Sequence, residues 1–490
     1  MSKFYLTTPI YYATDRPHIG HAFTTIYADV ISRYKKIIGW DVFFIVGTDE
    51  HGAKVAEKAD KENKTPQDFV DEMSSYYKKA WQVLDIDYDN FIRTTEERHK
   101  NGVRIFIQKL IESQSIYKGK YNGLYCVGCE KFLTEKELVD GLCPDHLKPP
   151  QKISEENYFF NLEKYLPEIQ RKIIGGEIKI NPESKRNETL NLIETGIPNF
   201  SISREKVKWG IDYPGDSNQT IYVWVEALMN YISVLDFPDG EKYKKFWPAD
   251  LHIIGADINK FHTIFWPALL LAINEPLPKE IFIHGLLMVN GQKMSKTLGN
   301  VIDPILLVEK FGSDAVRYLL LSQFPASGHG DIKEKEFSEK YNSDLANGIG
   351  NLFERIFTMA KNADLRGFDA DLCGQEADLS ILDEEILVFY QKIQTDYSQK
   401  MENYQLFEAL AIVFSFVKKL DQYINKNEPW KLIKNKNPEA DKIMKTLIFG
   451  VKNIIGLLKP FMPKKMEETE NYLKNLNSQI EKLNLFPRLS

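Results

Sequence analysis

Five consecutive apolar residues, Val42-Phe-Phe-Ile-Val46, are followed at once by Gly47-Thr-Asp-Glu-His-Gly52. An uninterrupted apolar run of strand length marks a strand covered on both faces, as in a parallel sheet. Polar residues at the carboxyl end of such a strand are where α/β proteins place ligand contacts. The flanking sequence agrees. Lys3-Phe-Tyr-Leu-Thr7 reads as a first strand, and residues 22–34 put Ala22, Ile26 and Val30 on one stripe of a helix. Thr65-Pro66 opens another helix to about residue 84, and a strand at 91–94 and a helix at 97–113 follow. Alternating strands and helices predict a doubly wound parallel α/β unit over residues 1–115.

Pro17-His-Ile-Gly-His21 lies between the first strand and the first helix. Unpaired N–H groups and the positive end of the helix dipole suit a phosphate there. Gly20 lets a ring or phosphate approach the backbone, and His18 and His21, three apart, project to one side of the first turn. Taken alone, the stretch also reads as an ordinary helix start.

From residue 116 the texture changes to turns and short aromatic strands. Cys126-Val-Gly-Cys129, thirteen residues, then Cys143-Pro-Asp-His146 make two knuckles that close a tetrahedral site suited to one structural Zn2+. Cys373 stands apart and reads as a plain thiol. Residues 220–225 look like a strand leading into a helix at 226–234. Leu251-His-Ile-Ile-Gly255 is a further buried strand ending in Gly255-Ala-Asp257, followed by a helix at 261–272 and a strand at 280–284. The α/β sheet therefore resumes after the insertion. Gly291-Gln-Lys293-Met-Ser295-Lys296-Thr-Leu-Gly299 is a glycine-bounded loop with two lysines three apart. That makes a movable cationic clamp for phosphates or, taken alone, a solvated basic turn. Beyond residue 336, helical periodicity at 347–360, 384–400, 406–425 and 442–458 predicts a bundle.

A chain of 490 residues is too long for one core, and several domains are expected. These are a Rossmann-like first half (1–115), a connective zinc-binding insertion (116–220), the second Rossmann-like half (221–290), the lysine loop and stem-contact region (291–340) and an α-helical bundle (341–490). Net charge is −6, which argues against a generic nucleic-acid binder but permits a local basic face that reads one RNA. No apolar run reaches the ~18 residues of a membrane span. The N-terminus lacks the pattern of a signal peptide, so the expected compartment is the cytoplasm, without a membrane partner.

His18-Ile-Gly-His21 and Lys293-Met-Ser-Lys-Thr297 on one split α/β domain resemble the two signatures of class I aminoacyl-tRNA synthetases. Thr8-Pro-Ile-Tyr-Tyr12, Val46 to Gly52, the zinc knuckles, Tyr222-Val-Trp-Val-Glu-Ala227, Phe261-His-Thr-Ile-Phe-Trp266 and Tyr423-Ile-Asn-Lys-Asn-Glu-Pro-Trp430 extend the resemblance over nearly the whole chain. They point to the methionine-specific branch. The resemblance implies a ligase that joins L-methionine to tRNA(Met) using ATP with Mg2+. It implies catalytic roles for His18, His21, Lys293 and Lys296, and ATP contacts from Pro17, His18, Gly20, His21, Gly255, Asp257, Lys293, Ser295 and Lys296. It implies a methionine pocket of Ile10, Tyr12, Asp49, Trp224, Ala227, Leu228, Tyr231 and His262, with Asp49 taking the ammonium. Anticodon contacts fall to Asn351, Arg355 and Trp430. Three departures stand out. Thr297 replaces the usual Ser. Glu226, at the pocket's edge, stands where Asp is frequent. Ala256 replaces a lysine whose charge Lys260 is a candidate to supply. No C-terminal dimerising module follows the bundle, so a monomer is expected.

Overall fold

The computed structural model describes residues 2–144, 147–294, 299–363, 379–476 and 482–489. They pack as two units, Met1–Gln82 with Ile86–Gly285, and Val83–Asp85 with Leu286–Ser490.

In the first unit the chain runs β1 (Lys3–Thr7), β2 (Tyr11–Tyr12), α1 (Ile19–Ile37), β3 (Asp41–Asp49), α2 (Ala53–Lys61), α3 (Pro66–Val83), β4 (Asn90–Arg93) and α4 (Glu97–Glu112). Next come β5 (Ile116–Cys126), β6 (Lys131–Leu133), β7 (Gln151–Phe160), α5 (Leu166–Ile174), β8 (Lys179–Asn181) and α6 (Glu183–Glu194). Four short strands follow, β9 (Phe200–Ser201), β10 (Ser203–Arg204), β11 (Asp212–Tyr213) and β12 (Asp216–Ile221). The unit closes with α7 (Val223–Leu228), α8 (Asn230–Ser233), α9 (Glu241–Phe246), β13 (Leu251–Gly255), α10 (Trp266–Ala272) and β14 (Glu280–His284).

The apolar run behaves as its composition demands, and β3 is buried from Val42 to Asp49. A Cβ on Gly47 would collide with the Ile92 carbonyl of β4, so only glycine lets the two strands pair there. The main sheet is wholly parallel, in the order β3-β1-β13-β14-β8, with β2 and β4 both paired to β3. From β1 the chain winds outward to β3 on one side and later to β13 on the other. The crevice beyond the carboxyl ends of β1 and β13 is thus a topological switch point, where such sheets bind ligands. The inserted stretch forms a four-stranded antiparallel sheet, β6-β5-β7-β9. It also lends β8 to the edge of the main sheet.

Two expected elements differ. Val223, Trp224 and Val225 open α7 instead of continuing a strand, which ends at Ile221. A short helix buried nearly all round has the same apolar, β-branched composition as a buried strand. The helix expected at 261–272 begins as one π-helical turn, Phe261–Phe265, before α10. The helices α2, α5 and α6 were unforeseen. In α2 only Val55 and Ala59 are buried, too thin a stripe to read among its charges.

The second unit comprises β15 (Leu287–Val289), β16 (Gln292–Lys293), α11 (Pro304–Phe311), α12 (Ser313–Leu321), β17 (Gly330–Ile332) and α13 (Glu334–Lys340). A π-helical segment (Tyr341–Gly350) then runs into α14 (Asn351–Asn362). The remaining helices are α15 (Glu384–Glu402), α16 (Leu406–Asn427), α17 (Pro429–Lys434), α18 (Glu439–Leu458) and α19 (Pro463–Lys474). Phe353, Leu410, Phe416, Leu447 and Ile454 are fully buried among them. Arg317 of α12 is fully buried as well. Its guanidinium donates to the carbonyls of Pro460 (3.0 Å) and Phe461 (2.8 Å) just past α18, and to those of Leu84 and Asp85 (both 3.4 Å).

Candidate active site

His18 is the N-cap of α1, in extended conformation, and its Nδ1 accepts the Gly20 N–H at 3.0 Å. His21 reaches back, and its Nδ1 accepts the His18 N–H at 3.3 Å. Two imidazoles thus form the reciprocal cap that a Ser/Glu pair usually makes. The rings stack at 3.7 Å and 22°. Burial and then the neighbouring His18 hold His21 well below the ordinary imidazole range, so it is neutral at pH 7. A neutral ring that accepts at Nδ1 carries its proton on Nε2. The start of α1 therefore presents an Nε2–H from each of two rings beside its own backbone N–H groups. Tyr11 and Tyr77, stacked at 5.8 Å, wall this place, and the Tyr77 hydroxyl lies 3.5 Å from His21 Nδ1.

An aromatic pocket lies in the same unit. Tyr12 meets Trp224 edge-on at 5.7 Å, and Trp224 stacks on Phe261 at 3.9 Å. Ala227 and Leu228 of α7 are buried, and Ile10, Tyr12 and Trp224 pack against the main core. His262 Nδ1 lies 3.0 Å from the Ile258 carbonyl, which only accepts, so that nitrogen bears the proton. Burial pushes His262 down to about 4, so the ring is neutral and its Nε2 accepts from the Tyr231 hydroxyl at 2.7 Å. The Tyr12 hydroxyl and Asp49 Oδ1 are buried without a hydrogen-bond partner. Asp49 ends β3, and burial, followed by the nearby Glu226, Glu130 and Glu50, pushes its carboxyl well above the usual range. Such a carboxylate gains strongly from a cation placed against it.

Gly255 and Asp257 follow β13. Gly255 is buried and Asp257 is exposed. Lys260 is ion-paired to Glu137 at 3.0 Å, so it does not take the place left by Ala256. Lys131 of β6 comes there instead, donating to the Asp257 carbonyl at 3.2 Å and lying over the Trp224 and Phe261 rings. No pattern around Lys131 announced this, because the contact depends on how the inserted sheet folds back. Glu130 was missed for the same reason. It is buried, accepts the Lys54 N–H at 3.0 Å, and is pushed up to about 7 by burial.

Cys126, Cys129 and Cys143 are buried with their sulfurs within 4.8 Å of one another, and Cys129 and Cys143 are 3.8 Å apart. That is too far for a disulfide and fits three thiolates around one ion. The Cys129 carbonyl accepts Trp224 Nε1–H at 3.0 Å, and the Glu130 carbonyl accepts the Tyr222 hydroxyl, so this turn also braces the aromatic pocket. His146, Cys373, Ser295 and Lys296 lie outside the described residues. Lys293 lies on β16, opposite Met288.

In the second unit, Arg355 of α14 is held by Asp421 (2.6 Å) and Asn425 (3.1 Å) of α16. Asn351 is exposed, and Trp430 of α17 is 42% exposed after a chain reversal at Glu428, φ +43°.

The chain matches the family model described as tRNA synthetases class I (M) over residues 4–152 and 146–357, and that of the anticodon-binding domain of tRNA ligase over 383–485. A methionine–tRNA ligase of Caldanaerobacter subterraneus is 41% identical over 482 residues, 97% of this chain and 75% of that protein. One from Thermotoga maritima is 42% identical over 472 residues, 95% and 74%. Among solved structures, Mycobacterium tuberculosis methionyl-tRNA synthetase in complex with methionyl-adenylate superposes with a TM-score of 0.89. It is 32% identical, covering 100% of this chain and 99% of that one.

Proposed function

The chain belongs to the methionyl-tRNA synthetase family of class I tRNA synthetases, and from this we infer that it is a methionine–tRNA ligase. It activates methionine with ATP to methionyl-adenylate and transfers the methionyl group to tRNA. The observation that carries this reading is the pair of Nε2–H donors at the start of α1, in one unit with an aromatic pocket that holds an unpartnered carboxylate oxygen. The test is ATP–pyrophosphate exchange without tRNA. Strong exchange is expected with methionine and little with leucine, isoleucine or cysteine. No exchange with any amino acid, from folded and metal-loaded protein, would overturn the reading.

The methionine carboxylate attacks the α-phosphorus of ATP and pyrophosphate leaves. The ribose hydroxyl at the 3′ end of tRNA(Met) then attacks the adenylate carbonyl and AMP leaves. No protein nucleophile takes part, so the chain's work is positioning and charge stabilisation. We assign His18, Gly20 and His21, with Pro17 fixing the approach, to the ATP phosphates. Gly255 and Asp257 go to the nucleoside, and Lys293, Ser295 and Lys296 to phosphate charge. Asp49 takes the ammonium. Ile10, Tyr12, Trp224, Ala227, Leu228, Tyr231 and His262 enclose the thioether, a soft group suited to aromatic walls. Mg2+ accompanies ATP. The partners are ATP, methionine and tRNA(Met).

Cys126, Cys129 and Cys143, with His146 as fourth ligand, are proposed to hold one structural Zn2+. Bound zinc supplies a crosslink to the knuckle and no chemistry at the substrate. Cys143→Ser is expected to lower metal content from one zinc per chain to below half on elemental analysis. Full retention would remove Cys143 from the ligand set. For the bundle, Trp430 offers an exposed ring to stack a base, while Asn351 and Arg355 offer hydrogen bonds. Trp430→Ala is expected to raise the KM for tRNA about 5–150-fold, matching the ~1–3 kcal/mol worth of one stacked base, with pyrophosphate exchange unchanged. An unchanged KM would remove Trp430 from the interface.

A further inference from the structure

Glu226 is fully buried, and its two carboxylate oxygens face imidazoles from two different elements. Oε1 accepts from His51 Nδ1 at 2.9 Å, and Oε2 accepts from His99 Nε2 of α4 at 2.9 Å. His99 is held in turn by Ser233 of α8, 2.8 Å from its Nδ1. Burial alone would push Glu226 up, but His51 and then His99 outweigh it and hold the carboxyl below its ordinary value. Glu226 comes from the same short helix that carries Trp224, Ala227 and Leu228.

What it grips is the turn after β3. His51 is two residues beyond Asp49 in that turn. The His51 ring, 3% exposed, is fixed on one side by Glu226 and packed edge-on against Trp209 at 5.5 Å on the other. Trp209 is itself tied to this turn, donating Nε1–H to the Glu50 carbonyl at 2.7 Å and accepting the Gly52 N–H at 3.0 Å. The Glu226 and Trp209 contacts therefore hold the turn that follows Asp49. At the start of that turn, Asp49 Oδ1 is buried without a hydrogen-bond partner.

We propose that Glu226 is a positioning residue for the substrate ammonium: by holding the His51 ring it fixes the turn after β3, and so keeps the unpartnered Asp49 oxygen in place for the amine. The role rests on the assignment of Asp49 to the ammonium. It joins the two halves of methionine recognition, because the helix that walls the thioether also orients the carboxylate for the amine.

Two inhibitors that differ only by the amine test this on the full chain: methioninol and 4-(methylthio)butan-1-ol. Their inhibition constants are measured in methionine-dependent exchange. Glu226→Gln is expected to weaken methioninol about tenfold or more and to leave the amine-free alcohol within about twofold. His51→Gln is expected to do the same, and it decides the matter should Glu226→Gln not be recovered folded. His99→Gln is expected to lower Tm without changing the ratio of the two constants. Equal weakening of both inhibitors would mean that Glu226 merely supports the pocket as a whole, and would overturn the proposal. So would an unchanged ratio in Glu226→Gln and His51→Gln when Asp49→Asn abolishes the preference for methioninol. If Asp49→Asn itself keeps that preference, the assignment of Asp49 fails and takes the proposal with it.

Discussion

His21→Ala slows methionine-dependent ATP–pyrophosphate exchange by about 10²–10³-fold in kcat, ~2.7–4 kcal/mol of lost transition-state stabilisation. The size follows from what the ring does at the start of α1. His21 is neutral, its Nδ1 is engaged by the His18 N–H, and its Nε2–H is left as a fixed donor. Such a donor needs no reorganisation as charge grows on the leaving pyrophosphate. The same substitution removes half of the reciprocal cap, which by itself costs about 1 kcal/mol of helix stability. The two effects separate by measurement: the cap appears in Tm and the donor in kcat. Near-normal exchange in a variant of lowered Tm would leave His21 a capping residue only.

Arg317→Met destabilises the helical unit by about 3–5 kcal/mol, the usual cost of removing one partner from a buried charged group. The guanidinium is fully buried and satisfies four main-chain carbonyls, two of them from the segment just past α18 and two from Leu84 and Asp85. Methionine fills most of the volume but donates nothing, so those oxygens lose their partner in an apolar setting. Urea unfolding followed by far-UV circular dichroism reads the loss. A shift below about 1 kcal/mol would mean that water replaces the guanidinium there.

The sheet was legible because its strands carry uninterrupted apolar runs, and β3, β13 and β14 fall where those runs do. The bundle was legible because helices such as α15 and α16 each bury a single stripe over many turns. Periodicity fails where burial is uniform, as in α7, or nearly absent, as in α2. The candidate site divides in the same way. His18, His21 and the cysteine knuckles are local in sequence, so spacing alone marks them. Lys131, Glu130 and the grip of Glu226 on His51 arise from contacts between distant segments, and no window of sequence contains both partners. The substitution at Ala256 pointed to Lys260 because Lys260 is near in sequence. Lys131 is near in space.

The central strand carries a consequence for how the molecule is made. β1 pairs with β3 through neighbours about forty residues on, but its other edge waits for β13, where Leu6 meets Leu251 and the Tyr5 N–H meets the Asp250 side chain. At ~5–20 residues per second of synthesis, that edge stays unpartnered on the ribosome for roughly 10–50 s. Through that interval the apolar strands β1 and β3 exist without the other half of their sheet. A nascent chain arrested before residue 251 is therefore a natural client for chaperones that hold exposed strand edges, and one arrested after β14 is not.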